Sequence, residues 1–209
     1  MIDLYTWNTP NGRKVSILLE ELKVPYNVHA VDITKGEQLE AEFLTISPNN
    51  KIPAIRDNET GVTLMESGAI LIYLAEKYGQ FLPRENRIEI YEWLMWQMAG
   101  FGPMLGQAHH FLKYNRGVST YAEERYGEEA RRLYGVLDRR LEGRDYIIGE
   151  YTIADIAIFP WCRLHKRQRQ DITDYPNVKR WFDMIAARPT VAKDMDTLED
   201  IVEGFSKES

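Results

Sequence analysis

The chain's 209 residues are enough for one large or two small domains, and 44% hydrophobic with 11% aromatic side chains supply a real core, which excludes a disordered chain. Acidic side chains outnumber basic ones 32 to 26, a formal charge of −6 that gives no reason to expect nucleic acid, because phosphate backbones want concentrated Lys and Arg. A single cysteine, Cys162, excludes an internal disulfide, a CxxC redox motif and a multi-cysteine metal site. The opening MIDLYTW has no basic stretch followed by an apolar run, and no 18-residue apolar segment occurs anywhere. No signal peptide and no membrane span are expected, and the expected location is the cytoplasm.

In chain order, Ile2, Leu4 and Tyr5 read as a short opening strand, followed by the turn Thr9-Pro10-Asn11-Gly12. Val15, Leu18, Leu19 and Leu22 recur at helical spacing, with Thr9 placed as N-cap and Pro10 in the first turn. YNVHAVDI predicts a second strand. GEQLEAEFLTIS predicts a short helix with Leu39, Phe43 and Leu44 on one side. IPAIRD and VTLME form a hairpin around Glu59–Gly61, and ESGAILIYLAEKYG is a helix stopped by Gly79. The order β-α-β-α-β-β-α points to a mixed sheet covered by helices over residues 1–80. Only Gly12 follows the first strand where a dinucleotide fingerprint would need three glycines, so that site has no support.

Beyond Pro83 the pattern is helical throughout, giving a second domain over 86–209. Ile88–Met98 opens a long amphipathic helix that Gly100–Pro103 should interrupt or bend. Thr120–Leu141 carries Tyr126, Leu133, Leu137 and Leu141 along one stripe. Thr152-Ile-Ala-Asp155 is a capping-box-like start with Asp in place of Glu, and Pro160 should kink or locally repair the helix it leads. The basic run Arg163–Arg169 reads as the solvated face of that helix. Pro176–Arg188 predicts another helix with Val178, Trp181, Phe182 and Ile185 inward, and Asp194–Phe205 a last short one before a frayed polar tail from Ser206.

These pieces together resemble the cytosolic glutathione transferase superfamily. The carrying segments are MIDLY and TPNG within residues 1–12, FLTISPNNKIPAI at 43–55, ESGAILIYLAEK at 66–77 and YTIADI at 151–156. TPNG with GPMLGQAHHF at 102–111 and ERY at 124–126 narrows the resemblance to bacterial glutathione-dependent disulfide-bond oxidoreductases. These are sometimes called nu-class enzymes and are related to the yeast prion-forming nitrogen regulator. The resemblance implies an α/β thioredoxin-like N-terminal domain, an all-α C-terminal domain, glutathione as bound co-substrate, no metal, and a homodimer.

It also implies roles for particular residues. Pro53 is similar to the family's cis proline, which presents the backbone of Ile52 to the peptide-like cysteinyl part of glutathione as an added strand. Glu66 and Ser67 resemble the pair holding the γ-glutamyl end, Glu66 at its ammonium and Ser67 with a helix N-terminal N–H at its carboxylate. Thr9 and Asn11 stand where thioredoxins carry CxxC and resemble groups that contact the ligand sulfur and favour its thiolate, while also suiting a cap and turn. Gln38 and Lys51 are placed near the glycyl end, and Arg125 resembles an arginine that reaches the site, in its own or the partner subunit. Tyr5 is read as structural and Trp7 as a wall of the cleft. Asp155 is read as a folding element, and the adjacent His109 and His110, about 100° apart on a helix, as poor metal ligands that could line the open half of the cleft. The activity implied is glutathione-dependent reduction of a small or protein disulfide, with hydroperoxide reduction using the same thiolate. The alternatives are conjugation of glutathione to electrophiles and a non-catalytic binding or regulatory module.

Overall fold

The computed structural model describes residues 1–194. The chain divides into two compact units, Met1–Gln80 with the segment from Ala187, and Phe81–Ala186. The helical domain read over 86–209 therefore gives up its end. The described part of that end is tied to the first unit by ion pairs: Arg188 grips Glu21 with two nitrogens (2.6 and 2.9 Å) and Arg13 reaches the backbone and carboxylate of Asp194. The chain is helical again over 189–194, and the rest of the helix expected at Asp194–Phe205, with the tail from Ser206, lies outside the described residues.

The first unit is built on a four-stranded sheet, order β2-β1-β3-β4. Its strands are β1 (Ile2–Thr6), β2 (Tyr26–Ala30), β3 (Ala54–Asp57) and β4 (Thr63–Met65). β1 runs parallel to β2, and β1/β3 and β3/β4 pair antiparallel. Ile2, Leu4 and Thr6 alternate onto one buried face, beneath α1 (Pro10–Leu22) and α3 (Ser67–Tyr78). On the other face Val31, Phe43, Ile46 and Ala54 form a cluster, with Tyr5, Ile52 and Met65 packed against it. Tyr5 also stacks on His29, ring centroids 4.6 Å apart. The helix expected from GEQLEAEFLTIS is two pieces, a 3₁₀ turn Glu37–Leu39 and α2 (Ala41–Leu44), separated by Glu40 in an extended conformation. The helical period is broken there, so Phe43 is buried while Leu39 and Leu44 are exposed.

Asp57 anchors the far end of this unit. Its buried carboxylate accepts from Tyr73 Oη, Lys77 Nζ and the N–H of Glu59. Burial raises its pKa, but these donors outweigh it and hold the carboxyl well below the usual range.

The second unit contains α4 (Arg87–Trp96), α5 (Gly102–His109), α6 (Thr120–Arg140), α7 (Ile153–Cys162) and α8 (Pro176–Ala186). Gly100–Pro103 does not break the first of these. A π-helical turn over Gln97–Phe101 joins α4 to α5, with the N–H of Gly102 bonded five residues back to Gln97. The wider turn carries the chain past Pro103, which has no N–H to give, without ending the helix. A second π turn, His110–Tyr114, closes α5. α7 keeps Pro160 inside it and ends at Cys162. The basic run beyond is not a continued helix face but a 3₁₀ turn, His165–Gln168, with Lys166 and Arg167 exposed and Gln168 buried. Val178, Trp181 and Ile185 of α8 are buried, and Phe182 stacks on Phe159.

Candidate active site

Strand register gathers the candidate residues of the first unit at one end of its sheet. Tyr5 pairs with Ala54, and Ala54 pairs with Met65. The loop after β1 (Thr9, Asn11), the entry to β3 (Lys51, Ile52, Pro53) and the exit from β4 (Glu66, Ser67) therefore lie at the same end of three adjacent strands, about 5 Å apart each. β2 finishes at that end too, since Thr6 pairs with Ala30, and the following segment carries Gln38.

Thr9 caps α1, its Oγ1 accepting from the N–H of Gly12 at 3.1 Å, with Pro10 in the first turn. That bond uses an acceptor site of the hydroxyl and leaves its proton to donate. Asn11 follows, half-buried. Gly12 is required by close approach: a Cβ there would stand 2.3 Å from Thr6 Oγ1 and 2.5 Å from the carbonyl oxygen of Trp7. The turn thus presses onto the end of β1 without a side chain between.

The Ile52–Pro53 peptide is cis. Ser47 Oγ donates to the carbonyl of Lys51 at 2.8 Å, fixing the approach to it, and the Lys51 side chain is exposed. Gln38 is half-buried and its Oε1 makes no hydrogen bond among the described residues.

At the head of α3, Glu66 has φ 69° and ψ 111°, a backbone conformation that ordinarily favours glycine, and its exposed side chain makes no capping bond. Ser67 is 3% exposed. Below it lies a residue that sequence reasoning missed. Lys14, 1% exposed, directs Nζ to Ser67 Oγ at 3.3 Å. Its signal was in the spacing: Lys14, Leu18 and Leu22 stand four apart, so a lysine occupies the apolar stripe of α1. Burial pushes its amine down to about 7, against the opposing pull of the Glu66 carboxylate.

Arg125 lies in the second unit, exposed on α6. It lines a hollow of about 670 Å³ with Met104, Tyr121, Tyr126, Glu129 and Arg132 among others. His109 does not line an open surface. It is buried, stacked on Trp161 with centroids 5.7 Å apart, and its Nε2 meets Gln168 Nε2 at 3.1 Å. Burial pushes its imidazole down to about 4, so the ring is neutral and can accept. His110 is exposed beside Asn115. Among the described residues no group of three or more His, Cys, Asp or Glu could hold a metal ion, and no helix is long and apolar enough to cross a membrane.

Residues 4–83 match the glutathione S-transferase N-terminal domain and residues 101–189 the C-terminal domain of the same family. The chain belongs to the glutathione S-transferase superfamily. Within it, the chain stands with the bacterial disulfide-bond oxidoreductases. It is 50% identical to the disulfide-bond oxidoreductase YfcG of Escherichia coli K12, over 92% of this chain and 94% of that one. Among solved structures it is similar to a Pseudomonas fluorescens glutathione transferase family member with two glutathione bound (48% identity, TM-score 0.86, 92% and 91% of the two chains). It is also similar to a Pseudomonas putida glutathione transferase with one glutathione disulfide bound per subunit (43% identity, TM-score 0.88, 92% and 90%).

Proposed function

We propose that the protein is a glutathione-dependent disulfide reductase whose working sulfur belongs to glutathione. The observation that carries this reading is the placement of sulfur. The chain's one cysteine, Cys162, is wholly buried in α7, and the turn where a thioredoxin keeps its dithiol is Thr9-Pro10-Asn11-Gly12. The names of the relatives, a disulfide-bond oxidoreductase and transferases holding glutathione or its disulfide, support the same chemistry.

In this reading the γ-glutamyl end sits at Glu66 and Ser67, the cysteinyl backbone pairs with Ile52 ahead of Pro53, and Gln38 and Lys51 face the glycyl end. The ligand sulfur lies at the first turn of α1, where the Thr9 hydroxyl and the Asn11 carboxamide donate to it and favour its thiolate. The thiolate attacks one sulfur of the substrate disulfide, a new S–S bond forms, and the substrate's own bond breaks to release a thiolate that takes up a proton. A second glutathione thiolate then attacks the mixed disulfide. It leaves glutathione disulfide and the second substrate thiol, so two glutathione molecules supply the two electrons.

The test is turnover of hydroxyethyl disulfide with glutathione, followed as glutathione disulfide formed. Turnover that falls in Asn11→Ala supports the reading. Thioether formation with an electrophile in the absence of disulfide turnover would replace it with conjugation, and binding without either reaction would leave a non-catalytic module.

A symmetric homodimer, with Arg125 contributing to a cleft near the interface, belongs to the same proposal. It is supported by exposed Met95 on α4 and Tyr121 on α6, and by the partly apolar hollow around Arg125. Sedimentation equilibrium giving a mass near the 24.4 kDa of one chain would overturn it.

A further inference from the structure

Arg13 is 4% exposed in the first turn of α1. The setting is costly for a guanidinium, which is taken out of water and held at the end of a helix dipole that repels a cation. Its planar fork is used in two directions. Nε donates to Asn8 Oδ1 at 3.0 Å, and Nη1 reaches the carbonyl oxygen (3.2 Å) and Oδ2 (3.4 Å) of Asp194. A lysine ammonium offers its donors from one point and could not span both partners. Asp194 is wholly buried in the segment that follows α8, 181 residues from Arg13 along the chain. Burial pushes its carboxyl up to about 6, against the pull of Ser16 and of Arg13, so near neutral pH the pair is charged.

Asn8 is the residue on which the Thr9–Gly12 turn pivots. The N–H of Thr9 bonds to the carbonyl of Trp7 at 2.7 Å, closing a three-residue turn with Asn8 at its centre. Asn8 immediately precedes Thr9, so its conformation sets the direction in which Thr9 and then Asn11 face. The Thr9 cap is local: its bond to the N–H of Gly12 fixes where Oγ1 accepts and reaches only three residues along. Gly12 presses the turn onto Thr6 and Trp7 with no room for a Cβ. A shift at Asn8 therefore moves the whole turn and not one side chain. A pair that served the fold alone would need only Arg13 and Asp194; the bond to Asn8 carries the clamp to the site.

We infer that Arg13 is a positioning residue for the turn that faces the glutathione sulfur: anchored on Asp194, it clamps Asn8 and so aims the Thr9 hydroxyl and the Asn11 carboxamide at the thiolate. This role rests on the glutathione reading above. It gives Asp194, from the far end of the chain, a part in the reaction that needs no contact with the ligand. The donors at the turn are worth most to the step that uses the thiolate, and least to the binding of the rest of glutathione. Loosening the clamp should accordingly act on turnover and on the ionisation of the bound thiol, with affinity for the glutathione backbone kept.

The test compares wild type with Asn8→Ala, Arg13→Met and their double variant in the hydroxyethyl disulfide assay. Arg13→Met should lower kcat at saturating glutathione about 10-fold, and Asn8→Ala somewhat less. The double variant should lose no more than Arg13→Met alone, because the two residues act through one bond. Affinity for S-hexylglutathione, which carries the glutathione backbone and no free thiol, should stay within about threefold in all of them. The ultraviolet absorbance of the bound thiolate reads the cause. In Arg13→Met the bound thiol should ionise about one pH unit higher than in wild type, since donors turned away from the sulfur favour its charged form less. Arg13→Lys keeps the charge without the fork and should not restore kcat. If Arg13→Met does not fold, Asn8→Ala, which leaves the buried pair whole, decides. Unchanged kcat and thiol ionisation in the folded variants, additive losses in the double variant, or kcat restored by Arg13→Lys overturns the inference. Affinity for S-hexylglutathione that falls in step with kcat makes Arg13 a support of the fold alone and overturns it too. A wild-type protein that neither binds S-hexylglutathione nor turns over the disulfide sinks the glutathione reading, and this role with it.

Discussion

At the start of α7, Thr152 and Asp155 close on each other. The Asp155 carboxylate takes the N–H and the hydroxyl of Thr152, the N–H of Ile147 and the indole N–H of Trp181. The Thr152 hydroxyl takes the N–H of Ala154, and both side chains are fully buried. At the start of α3 the N-cap side chain makes no such bond. Glu66 caps nothing with its side chain, stands exposed on a positive φ, and is followed by a buried serine backed by a buried lysine. Both are helix N-termini with free donors and a positive dipole end. One is completed inside the fold and fixes it. The other has no side-chain cap from Glu66, whose positive-φ backbone carries strain of about 1–3 kcal/mol.

The largest way to break this contrast is at the closed cap. Asp155→Ala should lower stability by about 3 kcal/mol or more, because it strips the acceptor from two backbone N–H groups and the Trp181 indole inside the core. Chemical denaturation of variant and wild type reads this directly. A loss under about 1 kcal/mol would mean that the Asp155 cap is no more structural than the α3 one.

Next come the open positions, where binding should move and stability should not. Ser67→Ala should raise KM for glutathione about 10-fold, the worth of a hydrogen bond to a charged group, with kcat little changed. Asn11→Ala should lower kcat more than it raises KM, because its carboxamide is assigned to the sulfur. Steady-state kinetics with glutathione varied separate the two, and equal effects on both parameters in both variants would dissolve the division of labour along the site. Glu66→Gly sharpens the comparison further. Glycine accepts φ near 69° freely, so the unfolding free energy should hold or rise by up to about 1 kcal/mol while affinity for S-hexylglutathione falls about 10-fold. A fall in stability together with affinity would make Glu66 an ordinary cap.

The same contrast explains what could be read from the sequence. Thr152–Asp155 was legible because a capping box is local: its partners are three residues apart and its signature is written in order. β1, β2, α3, α6 and α8 were legible because a period of 2 or 3.6 survives in their burial. The passage Gly100–Pro103 was not, since whether a proline breaks a helix depends on a π turn whose compensation is tertiary. The two-piece segment around Gln38 was misread because one extended residue, Glu40, resets the period and leaves no mark in composition. His109 was misread because its burial depends on Trp161 and Gln168, more than fifty residues away. Lys14 carried its signal in the stripe of α1, but its meaning needed Ser67, brought to it by the packing of α1 on α3.

The smallest expected effect tests the open site from the other unit. Cys162 lies in α7, the helix that Thr152 and Asp155 begin, and is fully buried. Burial pushes its thiol well above the ordinary range, so very little thiolate exists there at neutral pH. Reactive cysteines need the reverse, a lowered pKa and access to solvent. If the reducing sulfur comes from glutathione at the turn Thr9–Gly12, replacing this thiol should leave the reaction almost untouched. Cys162→Ser should retain kcat and KM for glutathione and hydroxyethyl disulfide within about twofold. Its stability should change by about 1 kcal/mol, since a hydroxyl replaces a weaker donor of nearly the same size in a buried position. The measurement is the same kinetic assay with the denaturation curve run beside it. A folded Cys162→Ser protein that has lost more than about tenfold in kcat/KM would show that a protein thiol takes part, and would move the working sulfur from the first turn of α1 to the last residue of α7.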